Sequence, residues 1–150
     1  MINQAVLVAA GDWMGPWNVT EKFENDIWSD LDGPPTVGKN MFSEYASIFH
    51  GGFHYYFGGQ SKYEDLNSII GLEESSWSWS IVGHLTSKRR RHEAILVGER
   101  FMIIGGFKTF KHEACLLNDG IFSCTELSSN LTGYANWPVL FPVEENYKNC

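Results

Sequence analysis

The sequence predicts an all-β fold assembled from repeated four-stranded antiparallel units, and three observations carry that expectation. Aromatic residues make up 15% of the chain (six Trp, six Tyr, ten Phe), beside fifteen Gly, a pairing that suits short strands joined by tight turns. Two runs, Phe53-His54-Tyr55-Tyr56-Phe57-Gly58-Gly59 and Arg100-Phe101-Met102-Ile103-Ile104-Gly105-Gly106, end alike in a Gly pair, with positions 58 and 105 lying 47 residues apart. Strand-like segments are separated by turn chemistry such as Glu73-Glu74-Ser75 and Asn118-Asp119-Gly120.

Size and composition bound the rest. One hundred and fifty residues at 17.0 kDa suit one domain. With 43% hydrophobic and 19% charged residues the chain is neither a disordered tail nor a membrane protein. Its most apolar segments, Ala5–Ala10 and Ile95–Ile104, fall far below the ~20 residues of a membrane span. Eleven Lys and Arg against eighteen Asp and Glu leave a net charge of −7, which argues against nucleic acid and anionic membranes as main partners.

The elements follow in order. Ala5-Val6-Leu7-Val8-Ala9 reads as a strand rather than a signal peptide: no basic region precedes it and Gly11-Asp12-Trp13 follows at once. Any secretion signal is then expected outside this chain. Residues 45–49 and 53–57 form a hairpin over His50-Gly51-Gly52, and residues 92–97 and 100–104 form one over Gly98-Glu99. Segments near 67–72 and 76–81, then 113–117 and 121–125, supply two further strands to each unit. Flanking landmarks repeat in the same register. Tyr45-Ala46-Ser47-Ile48-Phe49 matches His92-Glu93-Ala94-Ile95-Leu96, and a third copy appears as Val139-Leu140-Phe141. Trp28, Trp77 and Cys124 follow Gly11, Gly59 and Gly106 at nearly equal distances. A period of this length with strand content implies about four strands per unit, the make-up of one β-propeller blade. The units are then approximately 1–44, 45–91 and 92–138, followed by a final strand at 139–143.

The hydrophobic run, the Gly pair, a Trp about eighteen residues on and then Arg89-x-x-His92 before the next strand resemble the kelch repeat. The resemblance covers nearly the whole chain, with two departures: Ala10 replaces a Gly in the first unit and Cys124 stands where a Trp is expected in the third. It implies partial-propeller architecture, with strands named A to D outward and the chain running B-C-D, A-B-C-D, A-B-C-D, A. It also implies that Arg89 ties neighbouring blades by hydrogen bonds, leaving Arg90 and Arg91 free to meet an acidic partner. Independently of the family, Gly58-Gly59 and Gly105-Gly106 permit positive φ and close packing, and Trp77 and Trp79 are expected to bury large rings against a neighbouring sheet.

Pairing outward from a two-residue turn at Asp119-Gly120 places Cys115 opposite Cys124. They form a disulfide in an oxidising compartment and two neighbouring thiols otherwise. Cys150 is left over. Asn18-Val19-Thr20 and Asn130-Leu131-Thr132 are glycosylation sequons, relevant only in a secreted chain. The basic run Lys88-Arg89-Arg90-Arg91-His92 reads as structural, since the net charge opposes a nucleic-acid patch. His50, His54, His84, His92 and His112 are scattered without the spacing of a ligand set, so no metal or cofactor is expected. No nucleophile elbow, P-loop or dinucleotide fingerprint appears. Copper-radical oxidases use kelch-type propellers, but nothing here reproduces a recognisable ligand set.

The expected function is therefore non-enzymatic: a protein-interaction module whose partners meet rim loops. The candidate contact residues are Asp12, Trp13 and Trp17 in the first loop, Lys62 and Tyr63 in the second, Phe107, Lys108 and Phe110 in the third, with Arg90 and Arg91 beside them. The Cys pair and the sequons point to a secreted or cell-surface protein. The alternatives are an intracellular substrate-adaptor fragment of the BTB-kelch ubiquitin-ligase type, or a carbohydrate-binding or oxidase-type propeller. Three blades are too few to close a ring. The chain is expected either to belong to a longer propeller or to pair as a homodimer, with 1–150 not a well-behaved monomer.

Overall fold

Strand propensity, period-2 patterning and left-handed turn residues together set the fold. A computed structural model of the chain describes residues 6–9, 20–35, 42–61, 64–107, 109, 111–128 and 138. The regular structure among these residues is all β: β1 (Val6–Ala9), β2 (Thr20–Glu24), β3 (Ile27–Leu31), β4 (Phe42–Ser43), β5 (Ala46–His50), β6 (Phe53–Phe57), β7 (Gln60–Ser61), β8 (Glu64–Asp65), β9 (Ser68–Glu73), β10 (Ser78–His84), β11 (Glu93–Val97), β12 (Arg100–Ile104), β13 (Glu113–Asn118) and β14 (Ile121–Glu126). Among them no helix is long and apolar enough to cross a membrane.

Two four-stranded antiparallel meanders, β5-β6-β9-β10 and β11-β12-β13-β14, form the body. They join into one eight-stranded sheet through a single parallel bridge between Gly83 of β10 and Phe122 of β14. The first strands of the two meanders, β5 and β11, also lie side by side, so the sheet nearly closes on itself. A three-stranded sheet, β1-β2-β3, precedes the meanders, and a small one, β4-β7-β8, sits at their edge.

Tight turns fix the register. Gly51 and Gly52 (φ 60° and 80°) pair His50 with Phe53, and Asn25 and Asp26 (φ 52° and 63°) pair Glu24 with Ile27. Asp119 and Gly120 (φ 49° and 79°) pair Asn118 with Ile121. Positive φ at both central residues gives the primed turns whose twist matches the flanking strands. The β9–β10 connection is longer than the sequence suggests. Trp77 adopts φ 52° within the turn and donates its backbone N–H to the Glu73 carbonyl at 2.8 Å, so β10 starts two residues late and runs to His84. The two-residue strands β4, β7 and β8 are too short to leave a periodic signal.

The main core lies between the facing meanders. Tyr55, Phe57, Ile69, Val82 and Leu85 from the first meet Ala94, Phe101, Ile103, Cys115 and Phe122 from the second. Phe122 is its hub, with ring centroids 5.0 Å from Tyr55, 5.4 Å from Phe57 and 4.9 Å from Phe101, all edge-to-face. Each such ring contributes about 1.5–3 kcal/mol by burial, and each ring pair about 0.5–1.5 kcal/mol more. A second cluster, Tyr56, Ile70 and Leu72 with Tyr45, Leu66, Trp77 and Trp79, occupies the opposite face of the first meander. There the Trp79 indole N–H donates to the Asp32 carbonyl, and Lys22 of β2 sits over the Trp77 ring at 4.8 Å. Trp28, expected among the structural tryptophans, departs from this pattern. It is 54% exposed and tilted against Phe23, in a strand whose first four residues, Ile27 to Asp30, are all exposed.

Gly83 shows why the meanders can touch at their outer strands. A Cβ there would lie 2.7 Å from the Phe122 Cβ and 2.9 Å from its carbonyl oxygen, closer than real contacts allow. The register shift between Ile81 and Gly83 inserts Val82, which turns into the core.

Candidate functional site

The strand starts and ends that carry the longer connections gather at one end of the two meanders, and the segment 85–92, which links β10 to β11, fastens them there. Arg89 lies at its centre. Its backbone belongs to the first meander: its N–H donates to the Leu66 carbonyl and its carbonyl accepts from the Gly59 N–H, both at 2.9 Å. Its side chain belongs to the second. One guanidinium nitrogen donates to the Gly105 and Lys111 carbonyls at 3.1 and 2.9 Å, and the other donates to Ser87 Oγ and to Glu113. Both members of the Arg89–Glu113 pair are sealed from solvent. Burial pulls the guanidinium below its usual value and the Glu113 carboxylate opposes that pull. Glu113 also accepts from the Thr86 N–H at 2.6 Å and from the Ser87 hydroxyl at 3.1 Å, holding the connection from the opposite side.

The Gly pairs let this segment approach. Gly58 has φ 56°, and a Cβ on it would fall 2.7 Å from the Arg89 carbonyl oxygen and 3.0 Å from the His92 ring. His92 is buried, beside the Phe57 backbone, but neither ring nitrogen makes a hydrogen bond of ordinary geometry. Burial, reinforced by Arg89, pushes its pKa down to about 3, so the ring is neutral.

Arg90 and Arg91 point to the outside of the seam. The sequence leaves them free for an acidic partner. Instead the chain pairs them internally: Arg90 contacts Glu44 at 3.2 Å and Asp65 at 3.1 Å, and Arg91 contacts the other Glu44 oxygen at 2.8 Å. Both guanidinium groups lie over the Phe107 ring, at 4.4 and 5.4 Å from its centroid. The Phe107 N–H donates to the Arg90 carbonyl and the Arg91 N–H donates to the Glu44 carbonyl. A half-buried patch of two cations, two carboxylates and one ring therefore caps the junction.

Of the expected rim residues, the structure brings Arg90, Arg91 and Phe107 together. Asp12, Trp13, Trp17, Lys62, Tyr63, Lys108 and Phe110 lie outside the described residues, as do Asn18, Asn130, Cys150 and the strand at 139–143. Cys115 and Cys124 form a disulfide across β13 and β14, in the expected register, with Cα atoms 4.0 Å apart. The histidines are dispersed: His50 packs edge-on to Phe101 and His54 leans on Phe49. Among the described residues no group of three or more His, Cys, Asp or Glu is placed to hold a metal ion. At the far end of the meanders, a cleft lined by Gly51, Gly52, Phe53, Glu73, Glu74 and Ser75 opens to solvent.

The sequence reading missed Glu113, Glu44 and Asp65. A lone charge at the head of the apolar run Glu113-Ala114-Cys115-Leu116-Leu117 was the available signal, since a carboxylate entering a core needs a buried cation.

Comparison with known proteins adds the fold and nothing finer. No family model and no curated protein matches the chain. Ninety-one solved chains do, among them the one titled "Structure of YjhT", with a TM-score of 0.65 at 12% sequence identity. The match covers 80% of this chain and 45% of that one. The chain thus shares its all-β fold with a structure of which it spans less than half.

Proposed function

We propose that the chain is a non-enzymatic protein-interaction module built on kelch-type β-propeller blades, in which the two meanders are neighbouring blades and the first sheet is part of a third. The observation that carries this reading is the Arg89 seam. One residue, in the Arg89-x-x-His92 segment that lies between the two Gly-Gly pairs, is bonded by its backbone to one four-stranded unit and by its side chain to the next. A seam of that kind holds the connecting loops of successive units on one rigid rim, where recognition residues concentrate. Arg90, Arg91 and Phe107 sit on that rim, and Arg and aromatic side chains are the types enriched in interface hot spots.

A secreted or cell-surface setting accompanies the proposal. The Cys115–Cys124 disulfide supports it, as do the sequons at Asn18 and Asn130. A pull-down from medium or membrane extract, with the wild-type chain against a variant changed at Trp13, Lys62, Arg90 and Phe107, tests the reading. Loss of a recovered partner by a variant that still folds supports it, and unchanged recovery contradicts it.

A further inference from the structure

Six non-glycine residues among those described have left-handed backbone. Hairpin turns account for four. Asn25, Asp26 and Asp119 are central turn residues of types that tolerate it, and Trp77 closes the β9–β10 turn. Glu44 (φ 57°) and Arg91 (φ 55°) belong to no hairpin. They lie 47 residues apart, which is the repeat period, and each stands two positions ahead of the first strand of its meander, β5 or β11. A long side chain on such a backbone carries strain that the surroundings must hold in place, and strain of this kind gathers at clamps and switches.

The two strained residues hold each other. The Arg91 N–H donates to the Glu44 carbonyl at 2.9 Å, and the Arg91 guanidinium donates to one Glu44 carboxylate oxygen at 2.8 Å. The other oxygen accepts from Arg90 at 3.2 Å, and Arg90 also lies 3.1 Å from Asp65 of β8. Phe107 closes on Arg90 from the second meander. Glu44, which follows β4 directly, therefore fastens the small sheet to the 85–92 connection. The charged side chains of this cluster are 18–32% exposed, whereas the Arg89–Glu113 pair next to it is sealed. Ion pairs open to solvent return little free energy, of the same order as the strain in two left-handed residues. The outer contact is thus near balance and the inner one is not.

We propose that Glu44 is a strained latch: its contacts with Arg90 and Arg91 open and close with ionic strength, over an Arg89 seam that stays shut. Opening relieves the left-handed backbone and parts β4 from the connection, while the buried pair keeps the two meanders together. Salt favours the open state because it screens the half-exposed pairs and leaves the sealed pair untouched. The inference concerns motion at the junction and is independent of what the rim binds.

Amide hydrogen exchange of the 1–150 chain, followed residue by residue by NMR, tests it. The Arg91 N–H, bonded to Glu44, reports the latch, and the Arg89 and Gly59 N–H groups report the seam. Raising salt from about 0.05 M to about 1 M should speed exchange at Arg91 about fivefold and leave Arg89 and Gly59 unchanged. Glu44→Ala removes the carboxylate and keeps the strain, so Arg91 should exchange about tenfold faster than in the wild type and lose its response to salt. Glu44→Gly removes carboxylate and strain together, so Arg91 should exchange more slowly there than in Glu44→Ala. The seam amides show in each variant whether the fold is intact. The proposal is overturned if salt leaves Arg91 unchanged, if Glu44→Ala exchanges like the wild type, if the Gly variant exchanges as fast as the Ala variant, or if Arg89 and Gly59 respond together with Arg91.

Discussion

The Arg89 guanidinium and the Glu113 carboxylate form an ion pair, 0% exposed on both sides, between a connection that leaves one meander and the third strand of the next. Removing one member of such a pair strands a buried charge, which costs about 3–5 kcal/mol, whereas replacing both with apolar groups can be nearly neutral. Glu113→Gln and Arg89→Met should each lower unfolding stability by that order, and the double variant should lose clearly less than their sum. Urea denaturation of the four proteins measures this. Additive losses would mean that the two side chains act separately.

Acid should weaken the fold through His92. Its folded pKa, about 3, lies below the ordinary value near 6.5. Below pH 6.5 the unfolded chain therefore binds a proton that the folded chain refuses. The stability that the neutral ring contributes is intact above pH 6.5 and is lost as pH falls toward 3, with a slope approaching about 1.4 kcal/mol per pH unit. His54 and His112, also lowered by burial, act in the same direction. Chemical denaturation between pH 7 and pH 4 should show a shallower dependence in His92→Phe than in the wild type. Identical slopes would remove His92 from the account.

Two glycines with similar φ separate close approach from turn geometry. Gly58 (φ 56°) faces the Arg89 carbonyl, while Gly51 (φ 60°) faces open space. Gly58→Ala combines strain at positive φ with a backbone clash and should cost about 2–4 kcal/mol. Gly51→Asn, an amide tolerated in left-handed turns, should cost a few tenths. Thermal melts of the two variants give the comparison, and equal losses would place the requirement in the backbone angle alone.

Reducing the Cys115–Cys124 disulfide should lower stability by about 2–3 kcal/mol, the entropy of a short closed loop. The core face of Cys115 makes the double Ser variant a poor control, so Cys115→Ala/Cys124→Ala is the better one. Reductant should shift the wild-type midpoint and leave that variant unmoved.

The legible part of this fold was whatever repeated. The Gly58-Gly59 and Gly105-Gly106 pairs stood out because φ and close packing restrict those positions to few residue types, and the single Arg89-x-x-His92 marked the connection between the two meanders. The Cys115–Cys124 register followed from one primed turn. What escaped depends on contacts between segments far apart in sequence. Arg90 and Arg91 look like a free basic patch until Glu44, 46 and 47 positions away, folds beside them. Trp28 looks like a core tryptophan because its equivalents are covered, and its exposure depends on what stands next to it. Gly83 gave no local sign either, since its φ of 156° and its approach to Phe122 in another unit both arise at the bulge in β10.

The account rests on the seam joining the two meanders into one cooperative body. Hydrogen exchange by mass spectrometry across a urea titration reads β5–β10 and β11–β14 peptides separately in the same sample. The wild type should lose protection in both meanders at one urea concentration, while Glu113→Gln should release β11–β14 first. Separate transitions in the wild-type chain would contradict the claim.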